Sequence, residues 1–467
     1  MTAMIASWWG RWIEFASRER FLLGASLFRI GAGLTLLYQL LINYHQRAYL
    51  YGPDGVWPYS LFLQQLAELR SFSLYAVSTS PLWFEIVFHL TLLVLALWVA
   101  GWHTRLMTLL TFVLMWSLRE RTPVLWDGGD NALQIVLIYM IFANLGAHFS
   151  LDAARRREES PARRQLRAMF HNAAMLAMAV QLCLVYGIAG LYKIQGEMWQ
   201  SGTALYYVMR VDEFTLPGVS ELIYRNVPLV VALTYLTVAF QVAFPFLLFL
   251  NRYTRLLVLL GGMTFHLGIA VFMGLVTFAA FFISMELALV TDDEYRAAGS
   301  RLRRLRDRLA EWLAVRLGQL RARPALSAWR VQVFYDGWCP FCRRSVALLG
   351  RLDTLGLLEP ISFREPGVVN TYGLDAERAE ARMQARGRRG TTVEGIDAVL
   401  LIATRLPLLW PALPLLWTAR ALGAGQAAYD WIAARRTIIP AGCAQQCELR
   451  PARGQETQSQ GAFGAEA

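Results

Sequence analysis

Eight apolar blocks punctuate the first 290 residues, at about 21–42, 82–100, 104–118, 131–148, 170–194, 228–250, 254–273 and 275–290. Each approaches the ~20 residues that a helix needs to cross a bilayer's hydrocarbon core. The third is short and shares a tight turn with the second. This pattern predicts a polytopic α-helical membrane domain of about eight spans over residues 1–292. Ahead of it, residues 4–17 mix Trp, Arg and Glu, which suits a short helix lying at the membrane interface. No apolar run followed by a small-residue cleavage site precedes block one, so the first span is expected to act as an uncleaved signal.

The pattern changes at residue 293. Leu302, Leu305, Leu309, Leu313, Leu317 and Leu320 recur at spacings of three and four among many Arg. Such spacing predicts an amphipathic basic helix over 293–328, lying on an anionic leaflet or packed on the following domain with a solvated basic face. Residues 329–449 then read as a small α/β domain. A strand is expected at 331–336, a helix at 341–352, a strand near 358–363, a polar helical stretch and a hairpin-like pair around Gly387–Gly390. The run 398–417 is apolar enough to invite reading as a further span. Arg405 in its middle and Pro407, Pro411 and Pro414 argue against that, and for a helix and loop docked on the membrane or on the domain core. Residues 450–467 are polar and read as a disordered tail.

Charge sets the expected orientation. The chain carries 45 Lys and Arg against 34 Asp and Glu, a formal charge of +11, and Lys193 is the one Lys among the basic residues. Arg before block one, the pair His103 and Arg105, the Arg-rich connector 155–167, Arg252 with Arg255, and the run after block eight all fall on one side of an eight-span arrangement. By the positive-inside rule both termini face the cytoplasm, in a multi-pass protein of the inner (plasma) membrane. The same rule accounts for the basic runs, so lipid rather than nucleic acid is the expected partner.

Two constellations carry chemistry. Cys339-Pro340-Phe341-Cys342 follows a strand and opens a helix, where unpaired N–H groups and the helix dipole favour a thiolate at Cys339. Arg343 and Arg344 add positive charge. Cys339 can attack a disulfide and Cys342, one turn later, can resolve the mixed disulfide, with a thiol or disulfide protein as partner. Alternatively, Cys339 and Cys342 form half of a zinc site completed by Cys443 and Cys447, in a non-enzymatic membrane scaffold. The fifth Cys, Cys183, lies in an apolar block and reads as a buried core thiol.

The second constellation is intramembrane, where polar groups are costly. Arg29 and Glu286 are expected toward the cytoplasmic side, as a structural ion pair. Glu85, His89, His266 and Lys193 are expected in the outer half, with Asp127 and Asp130 just outside block four. Their shared depth suggests a polar cavity. Lys193 is the residue whose amine can lose its proton, which a guanidinium cannot.

Tyr335-Asp336-Gly337-Trp338-Cys339-Pro340-Phe341-Cys342, with Gly395-Ile396-Asp397-Ala398 and Tyr429-Asp430-Trp431, resembles the DCC thiol–disulfide oxidoreductase family over about 329–449. The resemblance implies a thioredoxin-like fold with Asp336, Cys339 and Cys342 as motif residues, and Cys443 and Cys447 as a second cysteine pair. Residues 21–290 resemble the HTTM family, related to vitamin K-dependent γ-glutamyl carboxylase. Ser26-Leu27-Phe28-Arg29-Ile30, Asp127-Gly128-Gly129-Asp130, Ser150-Leu151-Asp152, Val185 to Lys193, Trp199, Gly202, Thr203 and Thr264-Phe265-His266-Leu267 carry it. That likeness implies a pocket for a quinone or similar lipid-soluble molecule, with Lys193 as base; from their depth, His266, His89, Glu85 and Asp130 are expected around the substrate. The carboxylase's long C-terminal lumenal region is absent. Three readings follow: a membrane redox protein, a carboxylase- or epoxidase-like enzyme with a regulatory DCC-like domain, and the zinc scaffold. In the eight-span arrangement Cys339 and Lys193 lie on opposite sides of the hydrocarbon layer, so a mobile quinone or a separate partner connects them, or they work independently.

The topology is testable by reporter fusions after Arg330 and after Gln455. Both should read cytoplasmic; a periplasmic signal from the second alone would make 398–417 a span.

Overall fold

The computed structural model describes residues 13–155, 159–321, 323, 326, 328–387, 390–438 and 450–451, the side chains of 437–438 and 450–451 excepted. Most of the interfacial stretch 4–17, most of the tail and both Cys443 and Cys447 lie outside them. The chain forms two compact units, 1–301 and 302–467.

A helix lies in each of the eight apolar blocks of the first unit: α1 (Leu22–Ile42), α2 (Pro81–Ala100), α3 (Thr104–Arg121), α4 (Gly128–Met140), α5 (Pro161–Gln195), α6 (Val227–Leu250), α7 (Arg252–Met273) and α8 (Val276–Ala288). Among the described residues five of them, α1, α2, α5, α6 and α7, are long and apolar enough to cross a membrane, and α8 is a shorter apolar helix. Block four departs most from its expected bounds. The side chain of Asp127 accepts hydrogen bonds from Gly129 and Asp130 N–H, and Asp130 bonds back to Asp127 N–H, so α4 starts early. It ends at Met140, about 20 Å from its start at 1.5 Å per residue. Block five extends the other way, because Pro161 at the first helical position lets the basic stretch continue the apolar helix.

Small residues and buried polar groups bring the helices together. A Cβ on Gly24 would strike the Ala288 carbonyl and one on Gly31 the Ser284 hydroxyl, so α1 and α8 meet along a stripe of small residues. Carboxylates close the helix starts: Asp292 accepts from Leu22 and Leu23 N–H at 3.1 and 2.7 Å, and Asp152 accepts from His103 and Thr104 N–H at 2.9 and 2.7 Å.

Arg29 is fully buried but does not pair with Glu286, which corrects the expected ion pair. Its guanidinium donates to the carbonyls of Trp98 and Val99 at 2.8 Å each and of Phe149 at 2.6 Å. Two of these are last-turn carbonyls of α2, where the regular helix pattern ends; the Trp98 carbonyl also accepts the Gly101 N–H, at 3.0 Å. Depth explains where Glu286 goes instead. His266 lies seven residues before the end of α7 and Glu286 ten residues into α8, so the turn between them brings the two to nearly one level rather than to opposite halves.

Helix α9 (Asp292–Arg321) has no buried residue. In the second unit, β1 (Val331–Tyr335) runs parallel to β2 (Leu358–Ser362), and β3 (Gln384–Arg386) pairs antiparallel with both β1 and β4 (Thr392–Glu394), giving a four-stranded mixed sheet in the order β2-β1-β3-β4. Helix α10 (Pro340–Leu352) makes the β1–β2 crossover. Alternation along β1 puts Val331 and Val333 in one core and Phe334 in the other. The apolar run 398–417 is broken: α11 (Ile396–Arg405) packs on the sheet through Ala398 and Ile402, a Pro-rich turn follows, and α12 (Leu413–Ala421) and α13 (Ala424–Ala433) come after it.

Candidate functional site

The dithiol site begins where β1 ends. Asp336 is buried and accepts hydrogen bonds from Trp338 N–H at 2.9 Å and from Arg364 Nε and Nη2 at 3.0 and 2.8 Å, a two-pronged contact. The Arg364 guanidinium also lies over the rings of Trp338 and Phe363, at 4.5 and 4.7 Å. Asp336 therefore ties the loop to the segment after β2. Gly337 completes the turn, since a Cβ there would collide with the Ser362 hydroxyl.

Cys339 occupies the N-cap position of α10, and its Sγ accepts the Cys342 backbone N–H at 3.2 Å. Pro340 at the first helical position gives up an N–H that would have gone unbonded in any case. Neither thiol is in a disulfide, and both are buried. Sequence reasoning missed Arg436, 94 residues downstream, whose Nη1 lies 3.6 Å from Cys342 Sγ. Carbonyls hold that guanidinium in place: Ala433 accepts from Nε at 3.0 Å, Glu380 from Nη2 at 2.9 Å, and Ala381 accepts as well. Burial pushes the Cys342 thiol up to about 12, helped by the neighbouring Cys339 and opposed by Arg436. Arg343 and Arg344, the cations expected from local sequence, are exposed.

In the first unit α5, α6, α7 and α8 surround a largely apolar cavity of about 910 Å³. Gly190 on α5 admits α6, because a Cβ there would sit 2.9 Å from Val242. Lys193 and His266 both line this cavity, together with Tyr186, Trp199 and Gln241. The Lys193 ammonium lies over the Trp199 ring at 5.1 Å. Buried His266 stacks on Phe282, its Nδ1 3.1 Å from the Tyr186 hydroxyl and 3.3 Å from the Glu286 carboxylate, to which Tyr186 donates. Gly262 makes room for that carboxylate. The Gln241 side-chain carbonyl has no partner among the described residues.

The other intramembrane candidates lie elsewhere. Glu85 pairs with Arg47 at 3.0 Å and His89 at 3.3 Å, and Tyr44 bonds the far side of the His89 ring at 2.9 Å. Asp130 closes the capping box of α4 and accepts from Gln39 at 3.2 Å. Cys183 is half-buried rather than fully buried, its side of α5 being only partly covered.

Residues 333–440 match the DCC1-like thiol-disulfide oxidoreductase family. The matched segment holds both thiols, Asp336, Arg364 and Arg436. Among curated proteins, the chain is 23% identical over 270 residues to sporulation-delaying protein SdpB of Bacillus subtilis (strain 168), spanning 56% of this chain and 78% of that protein. It is also 23% identical over 215 residues to the uncharacterized protein YitO of the same organism, spanning 45% and 69%. No solved structure matches.

The Arg436 contact predicts a change in Cys342 reactivity. In the reduced full-length protein, Arg436→Gln should lower the alkylation rate of Cys342 between pH 8 and 10 by about tenfold, as loss of a cation at this distance raises a thiol pKa by about a unit or more. Arg436→Lys should keep most of the rate. Mass spectrometry of the modified peptide reads both, and equal rates in all three proteins would remove Arg436 from the site.

Proposed function

We propose that this chain is a membrane-bound redox protein whose second unit exchanges thiols and disulfides through Cys339 and Cys342. The observation that carries the reading is the Cys339 sulfur at the start of α10, accepting the Cys342 N–H, inside a segment that matches a thiol-disulfide oxidoreductase family. A thioredoxin-like fold is supported by β1–α10–β2 followed by the β3–β4 pair and α11, in the order β2-β1-β3-β4. The Cys339 thiolate attacks one sulfur of a partner disulfide and expels the other as a thiolate. Cys342, having given up its proton, then attacks Cys339 Sγ and releases the second partner thiol. The partner gains two electrons and the protein is left with a Cys339–Cys342 disulfide, and the reverse sequence oxidises a dithiol partner. Asp336 is a positioning residue here, since its carboxylate holds Arg364 and the loop. We place the protein in the plasma membrane with both termini cytoplasmic, on the basic connectors.

A second reading concerns the first unit and rests on the cavity. Its size and apolar walls, with a few polar groups at Lys193, Gln241, His266 and Tyr186, suit a lipid-soluble ring compound such as a quinone. Lys193 is the base that the resemblance to the carboxylase-like proteins suggests. Protein carboxylation itself has no structural support among the described residues.

Each reading has its own test. Cys342→Ser should accumulate mixed disulfides with partner proteins through Cys339, visible as reducible adducts on non-reducing gels, and Cys339→Ser should not. Stoichiometric zinc held by Cys339, Cys342, Cys443 and Cys447 would defeat the exchange reading. For the cavity, Lys193→Arg and Lys193→Ala are compared in turnover of a reduced quinone at matched membrane expression. A base requires both variants to lose at least about a hundredfold, the lower end of a general base's contribution, whereas full activity of Lys193→Arg would make Lys193 a charge partner or interfacial anchor.

A further inference from the structure

The apolar run 398–417 divides into two halves of opposite character. Ala398, Leu400, Ile402, Ala403 and Leu406 are buried in the second unit. From 407 to 422 no residue is buried, although Leu408, Trp410, Leu415, Trp417 and Leu422 are exposed by 60, 55, 72, 54 and 79%. Trp329, 57% exposed, joins them at the end of α11, where Arg405 donates to the Trp329 carbonyl at 3.1 Å and lies over its ring at 4.9 Å. Trp410 donates to the Thr404 carbonyl there. A contiguous sequence run this apolar on a folded surface signals a binding face.

Three observations say what covers it. The exposed residues are Trp and Leu beside Arg, the types that settle at a membrane–water boundary, with the indole at headgroup level and the guanidinium reaching the phosphates. No Asp or Glu occurs between Asp397 and Asp430, and while Arg420 pairs with Asp397, Arg405 has no carboxylate partner among the described residues, which leaves the face a cation for an anionic surface. Among the described residues the same chain has five helices long and apolar enough to cross a membrane. Covalent linkage to those helices keeps this face near lipid at high effective concentration. Insertion is ruled out by geometry: after the turn at Pro407–Ala412, α12 is nine residues long, about 13 Å against a ~30 Å core. Such segments can only lie flat.

We infer that the run 407–422, with Trp329 and Arg405, is a docking face for the anionic lipid surface of the membrane that the chain crosses. It is independent of thiol exchange and holds if the cysteines do something else.

The test uses the full chain in nanodiscs, with the photo-reactive residue p-benzoylphenylalanine placed singly at Leu408, at Leu415, or at Leu348 on α10 as an exposed control. In phosphatidylglycerol-containing nanodiscs, mass spectrometry should find lipid adducts at 408 and 415 and few at 348. Yield at 408 should fall about fivefold in purely zwitterionic nanodiscs and in Arg405→Gln, as expected for about one basic residue near an anionic surface. Backbone amides of 407–422 should exchange more slowly in the anionic nanodiscs. Cross-links to a second copy or to residues 439–467 in place of lipid, or equal lipid labelling at all three positions, would overturn the inference.

Discussion

Polar groups removed from water have to find partners inside the fold, and in the first unit this requirement governs which helices meet. Arg29 cannot remain uncompensated among apolar side chains. It therefore joins α1 to the carbonyls at the end of α2 and to Phe149, three acceptors from two segments distant in sequence. Glu286 is subject to the same constraint on another side of the bundle, and is met by Tyr186 from α5 and His266 from α7. Glycines make room for both groups: a Cβ on Gly101 would strike the Arg29 guanidinium and one on Gly262 the Glu286 carboxylate, while Gly24, Gly31 and Gly190 let neighbouring helices close up.

The cavity is bounded by this second cluster. Tyr186 and His266 form part of its wall, and Glu286 holds them from behind, so the polar group that fixes the helices also fixes a face of the space between them. Lys193 contributes from near the end of α5, against Trp199. A site arranged in this way has few polar groups in otherwise apolar walls, which is the general form of a small-molecule pocket.

In the second unit the same rule operates around sulfur. Asp336 is buried and fully engaged by Arg364, which fixes the loop that presents Cys339. Cys342 is buried beside Arg436, so the cost of making its thiolate is partly offset by a cation held by backbone carbonyls. The first sulfur thus sits at the helix start and the second beside a guanidinium.

Hydropathy and local spacing were enough to locate a helix in each apolar block, the strands β1 and β2, the hairpin pair and the Cys339–Cys342 motif, because each depends on residues within a few positions of one another; the helix Tyr59–Leu69 in a connector was not legible. Pro407, Pro411 and Pro414 likewise sufficed to deny 398–417 a span. Partner choice was not legible. Arg29 and Glu286 had suitable charges and similar expected depths, yet faced different helices, because direction around a helix axis depends on how neighbours pack and not on sequence distance. Glu85 and His89 shared their expected depth with Lys193 and His266 but pair with Arg47 and Tyr44 instead. Arg436 carried no local signal at all; only the fold brings a residue 94 positions away to Cys342. Sequence thus determined the elements and the reactive motif, and the tertiary structure decided which charges meet, since that depends on three-dimensional approach between helices that the chain order leaves open.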